Sequence, residues 1–291
     1  MTLTPTLADL WSEANWLEWR SRLDHLTPIK LTELVTTEQS RGGEFIQGGA
    51  RLLRLDQRQR AGDGGFGPSP MQLLVADVLA AGRFMNAIFE PRRSTKTTAV
   101  QAVMLGRCWS REDYTVGWTM FTTGGAKAGQ RFREDIVKHL VKLWPDSKTS
   151  PVAIGLSKGG EQLVFRDTGS LIQVGTPNGD MFRSGGFDLA FGDEAGEADV
   201  DQGEDVTRAV IPTMDTKIGA QFVLAGTGQK WRTGQLLWDN LHDDEAAIAW
   251  HGIPPRPWTA PSWCRGSQTY RTRRRARRAG GCGSGSSAPP G

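Results

Sequence analysis

Two short stretches of this chain carry side chains suited to chemistry on a phosphate anhydride. The first is Glu90-Pro91-Arg92-Arg93-Ser94-Thr95-Lys96-Thr97-Thr98. Backbone N–H groups at a helix N-terminus attract an anion, a lysine can reach its outer oxygens, and a hydroxyl after that lysine can ligate Mg2+. Lys96-Thr97 supplies the last two parts. The glycines that usually shape such a loop are missing: Glu90 stands at the first position and Thr95 at the one before the lysine. The second stretch is Phe187-Asp188-Leu189-Ala190-Phe191-Gly192-Asp193-Glu194-Ala195. An apolar strand ending in Asp-Glu presents two carboxylates at the carboxyl edge of a sheet. One can hold Mg2+ through water, and the next can orient and deprotonate an attacking water. A third stretch, Val223-Leu224-Ala225-Gly226-Thr227-Gly228, ends a strand in small residues and offers Thr227 as a sensor of the outer phosphate. Each has an ordinary reading when taken alone: a basic turn, a solvated acidic turn, a Gly-rich turn. Their order along the chain is what joins them, with phosphate contacts supplied first and a metal carboxylate and base about 97 residues later.

These residues need a scaffold, and the hydrophobic pattern supplies one. Phe84–Phe89 reads as a strand and 97–107 as a helix apolar on most sides, hence buried. Residues 114–121 read as a strand. Residues 126–144 read as a long helix with Phe132, Ile136 and Leu140 on one face, ended by Pro145. Short strands follow at 152–157, 162–166 and 170–175, then a strand at 187–192, a helix at 206–214, a strand at 221–226, a helix at 233–241 and a last strand at 246–250. Met71–Ala81 reads as a helix entered through Pro70. Leu7, Leu10, Trp11, Ala14 and Leu17 mark a first helix, and 40–70, rich in Gly, Arg and Gln, reads as a long loop or extended arm. Strand–helix alternation with continuous apolar runs predicts an α/β domain whose sheet is mostly parallel and flanked by helices. The expected division is an N-terminal helical segment and arm over 1–66, an α/β domain over 67–252, and a Pro/Arg/Gly-rich tail over 253–291.

Composition narrows the class. The chain has 291 residues, of which 38% are hydrophobic, enough for one large domain or two modest ones. No run approaches the roughly 20 apolar residues of a membrane span. The first 20 residues hold Asp9, Glu13 and Glu18 and no apolar run, so no signal peptide is expected. The three cysteines lack CxxC spacing and the four histidines are scattered, which argues against a zinc site or disulfide framework. The net charge of +3 comes from the tail: residues 262–291 contain seven arginines and no acid, leaving about −4 on residues 1–261. A basic pI is therefore no argument for nucleic-acid binding by the body. The tail is too poor in aliphatic residues to build a core and is expected to be disordered. Two readings remain for Arg271 to Arg278: a basic arm on DNA phosphates, or the product of a GC-rich gene read out of frame. The second is the expectation.

The ordered set resembles the large subunit of tailed-bacteriophage terminases, over roughly Gly67 to Leu241. Pro70-Met71-Gln72 resembles the family's adenine-recognition segment. Arg92 to Thr98 resembles its variant phosphate loop, and Thr122 to Ile136, with Ala126, Arg131 and Phe132, the strand–helix that follows. Asp180-Met181-Phe182-Arg183-Ser184 resembles the lead-in to the acidic strand, Asp193-Glu194-Ala195 its ending, and Gly226-Thr227-Gly228 with Gln235-Leu236-Leu237-Trp238 the coupling motif and its helix.

The resemblance implies a P-loop NTPase fold and an ATPase that drives double-stranded DNA into a capsid. Gln72 would read the base, and Ser94, Thr95, Lys96, Thr97 and Thr98 would hold the phosphates of ATP. Thr97 and Asp193 would ligate Mg2+, and Glu194 would be the catalytic carboxylate. Arg92 or Arg93 would stabilise the transferred phosphoryl group, and Thr227 would couple hydrolysis to movement. It also implies a phage portal, a small terminase subunit and a homo-oligomeric ring as partners, in the cytoplasm of an infected host or from a prophage, with no membrane. The family's usual two-metal nuclease needs a cluster of acids, and residues 246–291 contain none, so nuclease activity is not expected of this chain. The alternatives are a helicase-like ATPase and a non-enzymatic nucleic-acid-binding protein acting through the Arg-rich tail.

Overall fold

The computed structural model describes residues 30–32, 39–58, 67–92, 94–122, 127–157, 159–183, 185–227 and 235–251. The first expected helix, near Leu7 to Leu17, and the tail lie outside them. Nine strands form one sheet: β1 (Lys30–Leu31), β2 (Met85–Phe89), β3 (Thr115–Met120), β4 (Val152–Ser157), β5 (Gly160–Phe165), β6 (Leu171–Val174), β7 (Leu189–Asp193), β8 (Gln221–Gly226) and β9 (Ala247–Trp250). Their order is β1-β9-β2-β8-β7-β3-β6-β5-β4. The six strands from β9 to β6 are parallel; β1 pairs antiparallel with β9 at one edge, and at the other β5 pairs antiparallel with β6 and β4 antiparallel with β5. The helices are α1 (Pro70–Ala80), α2 (Lys96–Ser110), α3, α4 (Gly179–Arg183), α5 (Val200–Met214) and α6 (Gln235–His242). Helix α3 runs in three consecutive parts, Lys127–Arg131, Phe132–Val137 with the wider π winding, and Lys138–Leu143.

The central strands are buried along their whole length because helices cover both faces, the usual state of a parallel sheet. Alternation along each strand divides the core in two. Ile88, Leu189, Phe191, Val223 and Ala225 face one layer with α2 and α3. Ala87, Phe89, Ala190, Phe222 and Leu224 face the other with α5 and α6. The expected α3 face holds, with Phe132, Ile136 and Leu140 all buried. Helix α5 begins earlier than its apolar pattern suggests, at an N-cap where the Asp199 side chain accepts from Gln202 N (2.8 Å).

The stretch 40–70 departs from its expectation as loop or arm. Gln39–Ala50 is helical with π winding, and Phe45, Ile46, Leu52, Leu53 and Leu55 enter the same core as α2. Glycine suggested a loop, yet here it is the contact surface. A Cβ on Gly49 would sit 1.7 Å from Ala102 O, and one on Gly106 would sit 1.6 Å from Glu44 O. The backbones touch where any larger residue would hold them apart. Buried Glu44 closes the contact by pairing with Arg107 (3.4 Å) and Arg111 (2.6 Å).

Gly106→Ala therefore tests this packing. In an open helix the change would add up to about 1 kcal/mol of helix propensity. Here overpacking should reverse the sign and destabilise the protein by about 2 kcal/mol or more, read from urea unfolding. A gain in stability would show that the two helices do not meet at these glycines.

Candidate active site

The first turn of α2 and the ends of β7 and β8 converge at the carboxyl edge of the parallel strands, where ligands of open α/β sheets bind. Strand β2 ends at Phe89, the chain turns through 90–95, and α2 starts at Lys96. Thr95, at the N-cap, has a left-handed backbone (φ 69°) and its side chain makes no capping bond to the helix. This is the conformation a glycine takes freely, and it costs threonine about 1 kcal/mol. The glycine missing from the loop is thus replaced in conformation if not in type. Without a side-chain cap, the leading N–H groups of α2 are left for an anion.

Lys96 is only 6% exposed, and its charge favours the ionised forms of both Glu90 and Asp193. Ser94 and Thr98 are half-buried beside it, and Arg92 is exposed on the loop. Arg93 lies outside the described residues. Across the loop, Ser69 Oγ comes to 3.5 Å from Thr95 Oγ1. Ser69 is the N-cap of α1 in a full capping box: its hydroxyl accepts from Gln72 N, and Gln72 Oε1 accepts from Ser69 N (2.9 Å). Gln72 is thereby buried at the loop's margin with its amide oxygen already engaged.

The acidic strand meets the loop through one contact. Thr97 Oγ1 lies 3.1 and 3.0 Å from the two carboxylate oxygens of Asp193, which is fully buried. Burial, then repulsion from Glu194, raises the Asp193 carboxyl from 3.8 to about 6, while Lys96, the Glu194 N–H and the Thr97 hydroxyl oppose the rise. The Glu194 N–H donates to Asp193 Oδ1 (2.9 Å) and locks a turn in which Glu194 is also left-handed (φ 53°). That turn leaves the Glu194 side chain half-exposed at the edge. Behind it, β8 presses close: a Cβ on Gly226 would meet Leu237 of α6 at 2.5 Å and Gly196 N at 2.9 Å. Thr227 is buried with its hydroxyl unpartnered among the described residues. Gly228, Ala126 and Ser184 lie outside the described residues.

The donor set suits Mg2+. One carboxylate and one hydroxyl are hard oxygen ligands of the kind that hold Mg2+ together with waters and substrate phosphates, not as a dedicated protein cage. No cluster of three or more His, Cys, Asp or Glu able to hold a metal occurs among the described residues.

The fold brings the segments that carry Lys96, Thr97, Asp193, Glu194 and Thr227 to one edge. In the sequence Glu90 is noted only as standing where the loop's first glycine would be. Glu90 is completely buried, without a well-formed hydrogen bond to either carboxylate oxygen among the described residues. The available signal was the one that marked Asp193: an apolar strand, Met85–Phe89, running directly into an acid.

A loop between strand and helix leading into Lys96-Thr97, an acidic strand end, and a third strand between the two make up the arrangement of a P-loop NTPase fold. That fold is shared with a phage large terminase. The large terminase of bacteriophage HK97 aligns with a TM-score of 0.53 and 15% identity, over 77% of this chain and 52% of its own. The ATPase domain of the large terminase of Thermus phage P74-26 gives 0.48 and 15%, over 75% of this chain and 93% of its own. The large terminase of a thermophilic bacteriophage gives 0.43 and 11%, over 62% and 45%. Of these three only the first exceeds 0.5, and the likeness in fold rests on it. This chain spans about half the length of the HK97 protein it matches. No family model and no curated protein sequence matches the chain.

The buried Asp193 makes a prediction about stability. Its folded carboxyl holds a proton up to about pH 6, whereas the unfolded one releases it near 3.8. The folded state therefore binds more protons in that window, and its contribution to stability falls as pH rises through it, by about 3 kcal/mol in all. Asp193→Asn should raise the melting temperature of the nucleotide-free protein by a few degrees at about pH 8 and leave it nearly unchanged at about pH 4. Lower melting temperatures at both values would mean that the Asp193 carboxylate stabilises the fold instead of straining it.

Proposed function

We propose that this chain is the ATPase part of a terminase-like motor that spends ATP hydrolysis on packaging double-stranded DNA into a phage capsid. The observation that carries this reading is the Thr97–Asp193 contact, which joins the phosphate loop to the acidic strand end at the spot where nucleotide phosphates and a divalent cation would meet. The fold shared with the HK97 large terminase supports it.

In this reading the β- and γ-phosphates lie on the uncapped N-terminus of α2, with Lys96 on their oxygens and Ser94, Thr95 and Thr98 around them. Thr97 and Asp193 would hold Mg2+, which would supply charge neutralisation for the phosphates. Glu194 stands one residue beyond Asp193, where a half-exposed carboxylate can orient and deprotonate the attacking water. Arg92 or Arg93 stabilises charge on the transferred group, and Gln72 flanks the base with its amide nitrogen. Thr227, at the end of the strand between loop and acid, turns loss of the γ-phosphate into movement of α6. DNA is gripped by its phosphates without reading of sequence. A portal, a small terminase subunit and further copies of this chain in a ring complete the motor, working in the cytoplasm of the host.

Two substitutions separate binding from chemistry. Lys96→Ala removes the cation nearest the phosphates, so fluorescent ATP titration should show a large loss of affinity; unaltered affinity would sink the loop assignment. Glu194→Gln keeps size and hydrogen bonding but loses the base. ATP should still bind while turnover falls by roughly two to four powers of ten. Normal turnover in that variant would assign the water to another group.

A further inference from the structure

Glu90 and His251 have no part in the roles above, yet they sit at the head of the phosphate loop. The ladders joining β9, β2 and β8 run one bond past the strand ends: His251 N donates to Phe89 O (2.8 Å), and Glu90 N to Gly226 O (3.4 Å). His251, Glu90 and Thr227 therefore stand side by side across the carboxyl edge of three neighbouring parallel strands. All three are buried. Thr227 Oγ1 and His251 Nδ1 have no hydrogen-bond partner among the described residues, and the Glu90 carboxylate has only the nearby Ser94 hydroxyl, without a well-formed hydrogen bond to either oxygen. Isolated orphan atoms of this kind are costly, so three adjacent residues carrying them mark a polar row that a proton, a water or a ligand group must complete.

Burial is the dominant influence on Glu90. It raises the carboxyl from 4.5 to about 7, while the nearby Ser94 hydroxyl and the Lys96 charge pull the other way. Burial also lowers His251 from 6.5 to about 4, so its ring is neutral near pH 7. The other charged groups on surrounding elements are Arg92 in the loop, Asp193 and Glu194 at the end of β7, and His242 of α6, whose ring packs on Trp250. A nucleotide would add several negative charges to the loop and draw Lys96 onto its phosphates. Both changes disfavour an ionised Glu90.

We propose that Glu90 is a proton-coupled positioning residue of the phosphate loop: nucleotide binding drives one solvent proton onto its carboxylate, and the resulting neutral carboxyl donates a hydrogen bond within the His251–Glu90–Thr227 row. The step is protonation alone, carboxylate plus a buffer proton giving carboxylic acid. It rests on the nucleotide site proposed above and adds a link from that site to Thr227 and to the end of β9. By linkage, nucleotide affinity falls as pH rises past the range in which free Glu90 titrates.

Calorimetric titration of the whole chain with Mg2+ and a non-hydrolysable ATP analogue, in buffers of different ionisation enthalpy, counts the protons taken up. At about pH 8 the wild type should take up roughly one proton more than Glu90→Gln, and its affinity should drop by up to about tenfold per pH unit above 7 while that of Glu90→Gln stays flat. Glu90→Asp keeps a carboxyl and should keep the extra proton, which a merely structural role would not require. Equal proton counts in wild type and Glu90→Gln, with tight binding in both, would overturn the inference and leave the nucleotide site standing. Absence of binding in all three proteins would instead overturn the site, and the inference with it.

Discussion

Asp193 gives up all contact with water, and the arrangement around it answers that loss. Its carboxylate takes the hydroxyl of Thr97 and the N–H of Glu194, and it feels the charge of Lys96. Each of these comes from a different demand on the chain. Thr97 is delivered by the first turn of α2, which Thr95 starts in a left-handed conformation. The Glu194 N–H is delivered by a turn that forces Glu194 itself into the left-handed region. Two non-glycine residues in that region, on opposite sides of one carboxylate, are backbone strain held in place by the packed sheet beneath.

The sheet can hold such strain because it is covered on both faces and because its helices approach closely. Gly49 and Gly106 let the π-wound segment and α2 meet backbone to backbone, and Gly226 lets β8 and α6 close against the turn after Glu194. Helix α6 joins that turn to β2 and β9 through Leu237 and through an aromatic cluster in which Trp238, His242, Trp250 and Phe89 touch in sequence. The acidic turn, β8 and the last strand are therefore one packed unit, and Glu90 lies at its centre line.

Much of this was legible in the residues. Continuous apolar runs announce β2, β7 and β8, since strands buried on both faces show no alternation. Lys96-Thr97 after one run and Asp193-Glu194 after another announce the site. The segment 39–58 was illegible for a physical reason: glycine reads as a turn former along the chain, and its use as a helix contact appears only when the partner surface is known. The surroundings of Glu90 were illegible because they lie in register. Its neighbours Thr227 and His251 are far away in sequence and become adjacent only once β8 is inserted beside β2 and β9 is laid on the other side. The Arg-rich tail, Arg93 and the first helix remain proposals of the sequence.

The threonine at position 95 has one more consequence. A glycine there samples both halves of backbone space, so a loop built on it must be frozen each time it closes around an anion. Threonine is stiff at χ1 and visits the left-handed region only where its surroundings insist. Here the packed surroundings hold it there, with Ser69, the N-cap of α1, alongside. The loop thus resembles a cast object more than a flexible clasp. What it gives up in conformational ease while folding would return as a smaller entropic penalty on closing around an anion.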